Sequence, residues 1–484
     1  MAKSVATRSE SKVKKLKLDT VLDMDDRISN LPDSLIYHIL SLLPTKQAVA
    51  TSILSRTWKP FWTQLPTLDL KDQPTNPPNT FTYSMHRILA LHRAPVLRNF
   101  SLKWYTPCDS FDLDTWIHIA IERNVQQLKL EIYLNAEYED DEDGSVSVDF
   151  NFGDDVNVIY YGELFFLPRR LYSSKTLVVM ELTGGILLNP IYSCEFPSLK
   201  ILCLHRIYYE YDDSLSRFLS CCPILEDLSI LRNGTGGLTE LKISLAKLKC
   251  LYIEFKPFRL EPSPGYKLEI NTPALEYFRF EGYLRNIIFF EKPAHLVEAH
   301  VKISSELNRN EDWLDDWISE YKIYYGDWVF KLLRTLNNAK FLSLLCEDEK
   351  CIGFGSIYPS RFQNLIRLNF ELNQANWHVL QALLIVAPNL EVLVVKCYDN
   401  GERLCWTEPL HDPGSLSHLT SFIFNGCEGL EHEMEFVNSI LMKAIVLKTM
   451  TIKIKVSDRQ LKESVLKKLL MFPRHSTTCI LTVE

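Results

Sequence analysis

The chain has 484 residues, 46% of them hydrophobic and 24% charged, with a formal net charge of −8. That length exceeds what one ordinary compact core encloses, so the chain is either several domains or a repeat array. The negative balance argues against nucleic acid as a partner, since phosphate binding needs a positive field, and no apolar run reaches the eighteen residues of a membrane span.

The N-terminus, MAKSVATRSESKVKKLKLD, lacks a hydrophobic signal core. Residues 1–24 are expected to be a disordered basic tail on an intracellular protein of the nucleus and/or cytoplasm. Lys12, Lys14, Lys15 and Lys17 read as a solvated tail or as a weak nuclear-import patch. Without an export signal, the twelve cysteines are expected to be reduced thiols, mostly buried as small apolar residues. Cys221-Cys222 sits on an apolar helical stretch, and Cys346 and Cys351 lack a second pair to complete a zinc site.

The stretch Asp26–Trp62 carries three apolar clusters in about forty residues, too few to enclose a full core. Asp33 and Ser34 are expected to cap a helix bearing Leu35, Ile36, Ile39, Leu40, Leu42 and Leu43, which Pro44 stops. Thr45 should cap a second, bearing Ala48, Val49 and Ala50. Ile53, Leu54, Trp58, Phe61 and Trp62 form a third group. So much apolar surface on so small a unit points to a partner. The pairs Leu31-Pro32, Ile39-Leu40, Leu43-Pro44 and Leu54-Ser55, followed by Trp58, stand in an order that resembles the F-box, here residues 25–70. The resemblance implies binding to a Skp-family adaptor, and through it to a cullin-based ubiquitin ligase. The contacts it implies are Leu31, Pro32, Leu35, Ile39, Leu40, Leu43, Pro44, Val49, Leu54 and Trp58.

From Leu97 onward one pattern recurs: apolar, two others, apolar, one other, apolar. It appears at Leu97-Phe100-Leu102, Val125-Leu128-Leu130, Leu177-Met180-Leu182, Leu199-Leu202-Leu204 and Leu225-Leu228-Ile230. It continues at Leu238-Leu241-Ile243, Leu248-Leu251-Ile253, Leu275-Phe278-Phe280, Leu296-Ala299-Val301 and Ala339-Leu342-Leu344. Leu365-Leu368-Phe370, Leu390-Leu393-Val395, Leu419-Phe422-Phe424 and Leu447-Met450-Ile452 complete the series. Starts 25, 26 and 29 residues apart belong to a solenoid of one strand per turn. Helical stretches at Ser214–Cys222, Trp328–Leu336, Trp377–Ala387 and Glu435–Ala444 precede some units, with Pro223 and Pro388 ending two of them. The pattern resembles the irregular leucine-rich repeats that follow F-boxes in plant proteins, here residues 71–404.

Two segments interrupt it. Asn135–Asp155 reads as a solvated acidic loop; as a calcium loop it fails, because Phe150 falls where the bidentate Glu should stand. Leu307–Gly326 holds Trp313 and Trp317 on an expected helix. Residues 405–484 change character, with a helix around Glu433–Val437, a strand at Leu447–Ile452, a helix across Gln460–Leu470 and a strand Thr478–Val483. This resembles the FBD region of plant F-box proteins, and its last strand is expected to cap the solenoid. The whole is read as α/β: a three-helix F-box, an irregular leucine-rich-repeat solenoid and a C-terminal α/β cap.

No catalytic constellation emerges, and no cofactor or metal is expected. Gly234-Thr-Gly236-Gly237 lacks the lysine of a phosphate loop, and His295 and His300 are wrongly spaced for a zinc helix. Strand alternation instead turns Tyr252, Glu254, Tyr277, Arg279, Glu281, His300, Lys302, Arg367, Asn369, Glu371 and Lys396 toward the concave face. Tyr252, Tyr277, Arg279, His300, Lys302, Arg367, Asn369 and Lys396 are the candidates for holding an unidentified target protein. The expected function is substrate receptor of a Skp-cullin-F-box ligase; the alternatives are a non-catalytic scaffold or a small-molecule receptor.

Overall fold

The computed structural model describes residues 31–56, 58–73, 77, 79–105, 110–133, 138–140, 146–148, 164–190, 194–233, 240–256, 267–283, 286–304, 328–346, 361–372, 376–397, 416–455 and 459–484. The expected basic tail, the 307–326 segment and Cys351 lie outside these residues.

Apolar residues at alternate positions give strands with one buried face. In Arg367–Leu372, Leu368, Phe370 and Leu372 are buried while Arg367 is exposed. Among the described residues, fifteen such strands form one sheet whose order follows the chain, from Thr67–Lys71 to Ile480–Val483. Every neighbour pair is parallel. Parallel neighbours need a return crossing for each strand, and these crossings cover one face only. The other face stays partly exposed, as a solenoid allows and a doubly wound sheet does not.

The return crossings vary. Some are helices, at Thr80–Leu91, Ser110–Glu122, Ser214–Ser220, 328–335, Trp377–Val386, Glu431–Lys443 and Arg459–Met471. Asn124, at φ 56°, follows Ser110–Glu122 in the left-handed conformation, and its N–H donates to the Ile121 carbonyl at 3.0 Å. Asn tolerates that conformation better than most residues, so it can end a helix there. Elsewhere the crossing is a second parallel layer, Glu240–Ser244, Lys267–Asn271 and Asn286–Phe289. Of the Leu238-Leu241-Ile243 unit, Leu241 and Ile243 belong to this back layer and not to the main sheet, a correction to its reading as a repeat strand, and Leu238 lies outside the described residues. Leu241 and Ile243 are buried there just as they would be in front, so the pattern is the same in both places. Within the segment read as a solvated acidic loop, Tyr138–Asp140 and Val146–Val148 pair as antiparallel strands; its other residues lie outside those described.

A spine of backbone hydrogen bonds runs across the turns just ahead of the strands. The Lys200 N–H donates to the Val178 carbonyl at 2.9 Å, Glu226 to Lys200 at 2.8 Å, Lys249 to Glu226 at 2.9 Å and Glu276 to Lys249 at 2.8 Å. Side chains repeat the device, with Ser198 donating to the Lys175 carbonyl and Asn389 to that of Gln363, both at 2.8 Å. The backbone polar groups at these turns are thus satisfied by the neighbouring turn.

The first strand falls across the expected F-box boundary at residue 70. Leu65, Leu68 and Leu70 are all buried and keep the repeat spacing, so the sheet begins one turn earlier than Leu97. The expected F-box residues cover the outer edge of this strand. Thr45 does not cap its helix Thr45–Ala50, where Pro44 holds the cap position. Its hydroxyl is buried and accepts the Asp69 N–H at 2.7 Å, closing the edge. At the far end, Ile480–Val483 pairs with Thr449–Ile454 as expected. It does not act as a lid: no described strand covers its outer edge, and Ile480 is 66% exposed. The helix Arg459–Met471 that precedes it packs on the core through Val465 and Leu469 and leaves that edge open.

Candidate interaction surfaces

The N-terminal helical segment has its own small core of Ile36, Leu40, Ala48, Trp58, Phe61, Trp62 and Leu65, with Ile88 packed against both it and the main core. The first helix is Asp33–Ser41. Asp33 and Ser34 do not cap it; Pro32 precedes it, and the Pro32 carbonyl accepts the N–H of Leu35 at 2.9 Å. Asp33 sits instead in the first turn, where a carboxylate meets the positive end of the helix dipole. The expected third helix resolves into two 3₁₀ turns, Thr51–Ile53 and Phe61–Gln64. Pro60 between them offers no N–H to a continuous helix.

This packing divides the expected adaptor contacts. Helical spacing puts Leu35, Ile39 and Leu42 on one stripe and Ile36, Leu40 and Leu43 on the other. The second stripe faces the small core. Leu35 and Ile39 are 49% and 42% exposed, and Pro32 and Leu54 are exposed as well. Leu31, Leu43, Pro44 and Val49 are half-buried. Leu40 and Trp58 are fully enclosed in the small core, which corrects their reading as contacts: they hold the unit together and present no surface. Leu42 and Ile53, 73% and 86% exposed, were not among the expected contacts. Their signal was present in the spacing, since Leu42 continues the Leu35–Ile39 stripe.

The seam between this unit and the sheet is polar and directional. His92, buried, donates from Nε2 to the Leu65 carbonyl at 2.8 Å and accepts at Nδ1 from the Arg123 guanidinium at 2.8 Å. Both bonds together require the neutral ring. Burial pushes the His92 pKa below its ordinary 6.5, the Leu65 carbonyl opposes that, and the Arg123 charge adds to it. A depressed imidazole pKa means that the unfolded chain takes up the proton first as pH drops. Stability should therefore fall as pH is lowered through 6.5 toward the depressed value, and His205, also lowered by burial, acts in the same direction. Thermal unfolding between pH 7.5 and 5.5 reads this; His92→Gln should flatten part of the slope, and an unchanged slope would contradict the assignment.

The outward face of the sheet collects all eight expected target-facing residues on five of six neighbouring strands. Register sets Tyr252, Arg279, His300, Ser343 and Asn369 in one crosswise row. Tyr277, Glu298, Phe341 and Arg367 form the row before it, and Glu254, Glu281, Lys302, Leu345, Glu371 and Lys396 the row after. Arg279 lies 4.9 Å from the Tyr252 ring centroid and 3.4 Å from Glu281, which also pairs with Lys302 at 3.1 Å. Lys396 reaches Glu371 at 3.6 Å. The Tyr252 hydroxyl donates to the Glu254 carboxylate; burial first, and then that bond, raise its pKa. Phe341 was missed although it keeps the same strand phase. Its ring lies 5.0 Å from that of His300, and the Arg367 guanidinium is 5.8 Å from its centroid. A second cluster was missed nearer the F-box, where Tyr105 and Tyr133 stack at 4.7 Å with the Lys103 ammonium 5.2 Å from each ring.

Charges on this face therefore stand largely in opposed pairs, with aromatic rings between them. That chemistry suits a folded protein or peptide surface better than a phosphate-rich ligand. Among the described residues no group of three His, Cys, Asp or Glu side chains is placed to hold a metal, and no helix is long and apolar enough to cross a membrane.

Three family models match: F-box domain over residues 28–69, FBD-associated F-box protein At5g56370, LRR repeats over 155–265, and FBD over 412–452. F-box/FBD/LRR-repeat protein At5g56420 of Arabidopsis thaliana is 30% identical over 471 residues, covering 95% of this chain and 99% of its own. The chain belongs to the F-box/FBD/LRR-repeat family. Two further Arabidopsis thaliana relatives are each 28% identical across 94% of this chain: F-box/FBD/LRR-repeat protein At4g26340, covered over 98% of its length, and F-box/LRR-repeat protein 13, over 96%. In this F-box/FBD/LRR-repeat chain, the FBD match covers the strand Ser421–Cys427, the helix after it and the start of the strand Thr449–Ile454. FBD here is thus a continuation of the same sheet.

Proposed function

We propose that this F-box protein is the target-holding subunit of a Skp-cullin-F-box ubiquitin ligase. The observation that carries the reading is the stripe Leu35–Ile39–Leu42, apolar, exposed and turned away from the small core. Covering each such side chain contributes roughly 1.5–3 kcal/mol, so three or four can exceed an association cost of about 4–15 kcal/mol only when joined by shape-matched neighbours. Pro32, Ile53 and Leu54 supply them. The chain makes no bond itself. Its adaptor end fixes it to the ligase, while the outward face of the sheet holds a target and raises the target's effective concentration at the ubiquitin-bearing enzyme.

On this reading the F-box protein binds a Skp-family adaptor, and a cullin through it. Co-expressed with both, the full chain should elute from gel filtration as a single three-protein complex. Elution of the chain apart from the adaptor would overturn the proposal. Adaptor binding without cullin would reduce it to a scaffold.

A further inference from the structure

We infer that the last two turns of the solenoid form a second docking surface, for an acidic amphipathic peptide segment of another protein. Residues 443–484 hold nine Lys and Arg against three Asp and Glu, a net of +6 in a chain of −8, so the rest of the chain carries −14. The concentration of positive charge coincides with exposed apolar side chains. Met442, Ile445 and Val446 lie at the corner between the helix Glu431–Lys443 and its strand, and Leu470 and Met471 at the matching corner one turn later. The two corners touch: the His475 N–H donates to the Leu441 carbonyl at 3.3 Å, and its Nδ1 meets the Met442 carbonyl. Ile480, which opens the uncovered last strand, follows directly.

Met471 is 82% exposed, although Leu469 beside it is buried. Leu466 and Leu470, four apart, form an outward stripe on the helix Arg459–Met471 while Val465 and Leu469 form the inward one. Lys453 and Lys455, on the strand, pair with Glu484 and Glu428 at 3.0 and 2.7 Å, but among the described residues no carboxylate lies within ion-pair distance of Lys448, Lys467 or Arg474. This contrasts with the outward face, where Lys302 and Lys396 are neutralised by Glu281 and Glu371. An apolar patch rimmed by unneutralised cations is complementary to a segment with a greasy stripe and acidic flanks.

Charge selects among occupants. A second copy would bring the same cations against themselves across a two-fold axis. An anionic membrane would attract the patch but repel the remaining −14 of the chain, whereas a single acidic segment needs only the corner.

The test uses the full chain, co-expressed with its adaptor if required, and a fluorescein-labelled peptide of about twenty residues with Leu at helical spacing and Glu and Asp elsewhere. Its charge-reversed Lys twin is the control. The acidic peptide should bind at least about tenfold more tightly than the twin and weaken with salt. Leu470→Ser with Met471→Ser should weaken it about tenfold, as truncating two anchors does. Lys467→Glu with Lys468→Glu should do the same and flatten the salt dependence. All four side chains are exposed, so the thermal midpoint should not move. Equal binding of both peptides, or binding indifferent to these variants, overturns the inference. So does capture by phosphatidylserine vesicles without peptide binding, or dimerisation lost in the Leu470/Met471 variant.

Discussion

Gly282→Ala should cost the chain about 3–5 kcal/mol, or prevent folding, because a conformation open only to glycine is combined with a backbone clash that cannot relax. Gly282 lies at φ +131°, and a Cβ there would stand 2.1 Å from the Phe255 carbonyl oxygen. Gly282 is in register with Phe255 on one side and Ile303 on the other, and both partners are buried. Moving the carbonyl away would break a rung of the sheet on both sides. Gly184 repeats the arrangement at φ +94°, with its Cβ 2.0 Å from the Ile132 oxygen, which also accepts the Gly185 N–H at 2.8 Å. Gly426 supplies the control. It lies at φ +83°, but its nearest neighbour would be at 3.4 Å, so Gly426→Ala should cost about 1–2 kcal/mol from conformation alone. Denaturant unfolding measures all three; equal costs at Gly282 and Gly426 would refute the clash.

Leu35→Asp with Ile39→Asp should abolish adaptor capture, a loss of more than about 100-fold, while leaving the thermal midpoint of the F-box protein in place. Each change sets a charge where an apolar side chain would be desolvated, and an unpaired buried charge costs several kcal/mol. Neither residue is needed for the fold, because the small core is built from the opposite stripe. Leu40→Ala gives the opposite signature. It empties a buried position and should lower stability by about 2–5 kcal/mol, with capture failing only as the unit melts. Surface plasmon resonance on immobilised adaptor, read beside calorimetry, separates the two. Equal behaviour of the exposed pair and the buried leucine would mean that the stripe Leu35–Ile39 is structural.

Much of this was legible because burial imposes a period. Leu368, Phe370 and their equivalents alternate for the physical reason that only one face of each strand is covered, and Arg367 and Asn369 could be assigned outward by phase. What the pattern could not separate is two places with the same requirement. Leu241 and Ile243 are as buried in the back layer as Leu251 and Ile253 are in front, so spacing alone reads them alike. Leu68 and Leu70 follow the F-box motif so closely that they read as its end, although with Leu65 they carry the repeat spacing. Thr45 was assigned to its own helix, since local capping is visible in a sequence and a bond to Asp69, twenty-four residues on, is not. Gly282 and Gly184 gave no signal either: their necessity lies in the neighbouring turn's carbonyl.

In the F-box-family sheet every strand lies beside the one before it in the chain. A ribosome releasing such a chain presents each strand of the sheet after the first to a partner that is already made. Each new rung finds its template already folded behind it, and the F-box end, made first, closes the starting edge before any other protein can add to it. Growth then runs in one direction only, and chains stopped after any complete turn should be shorter versions of the same object.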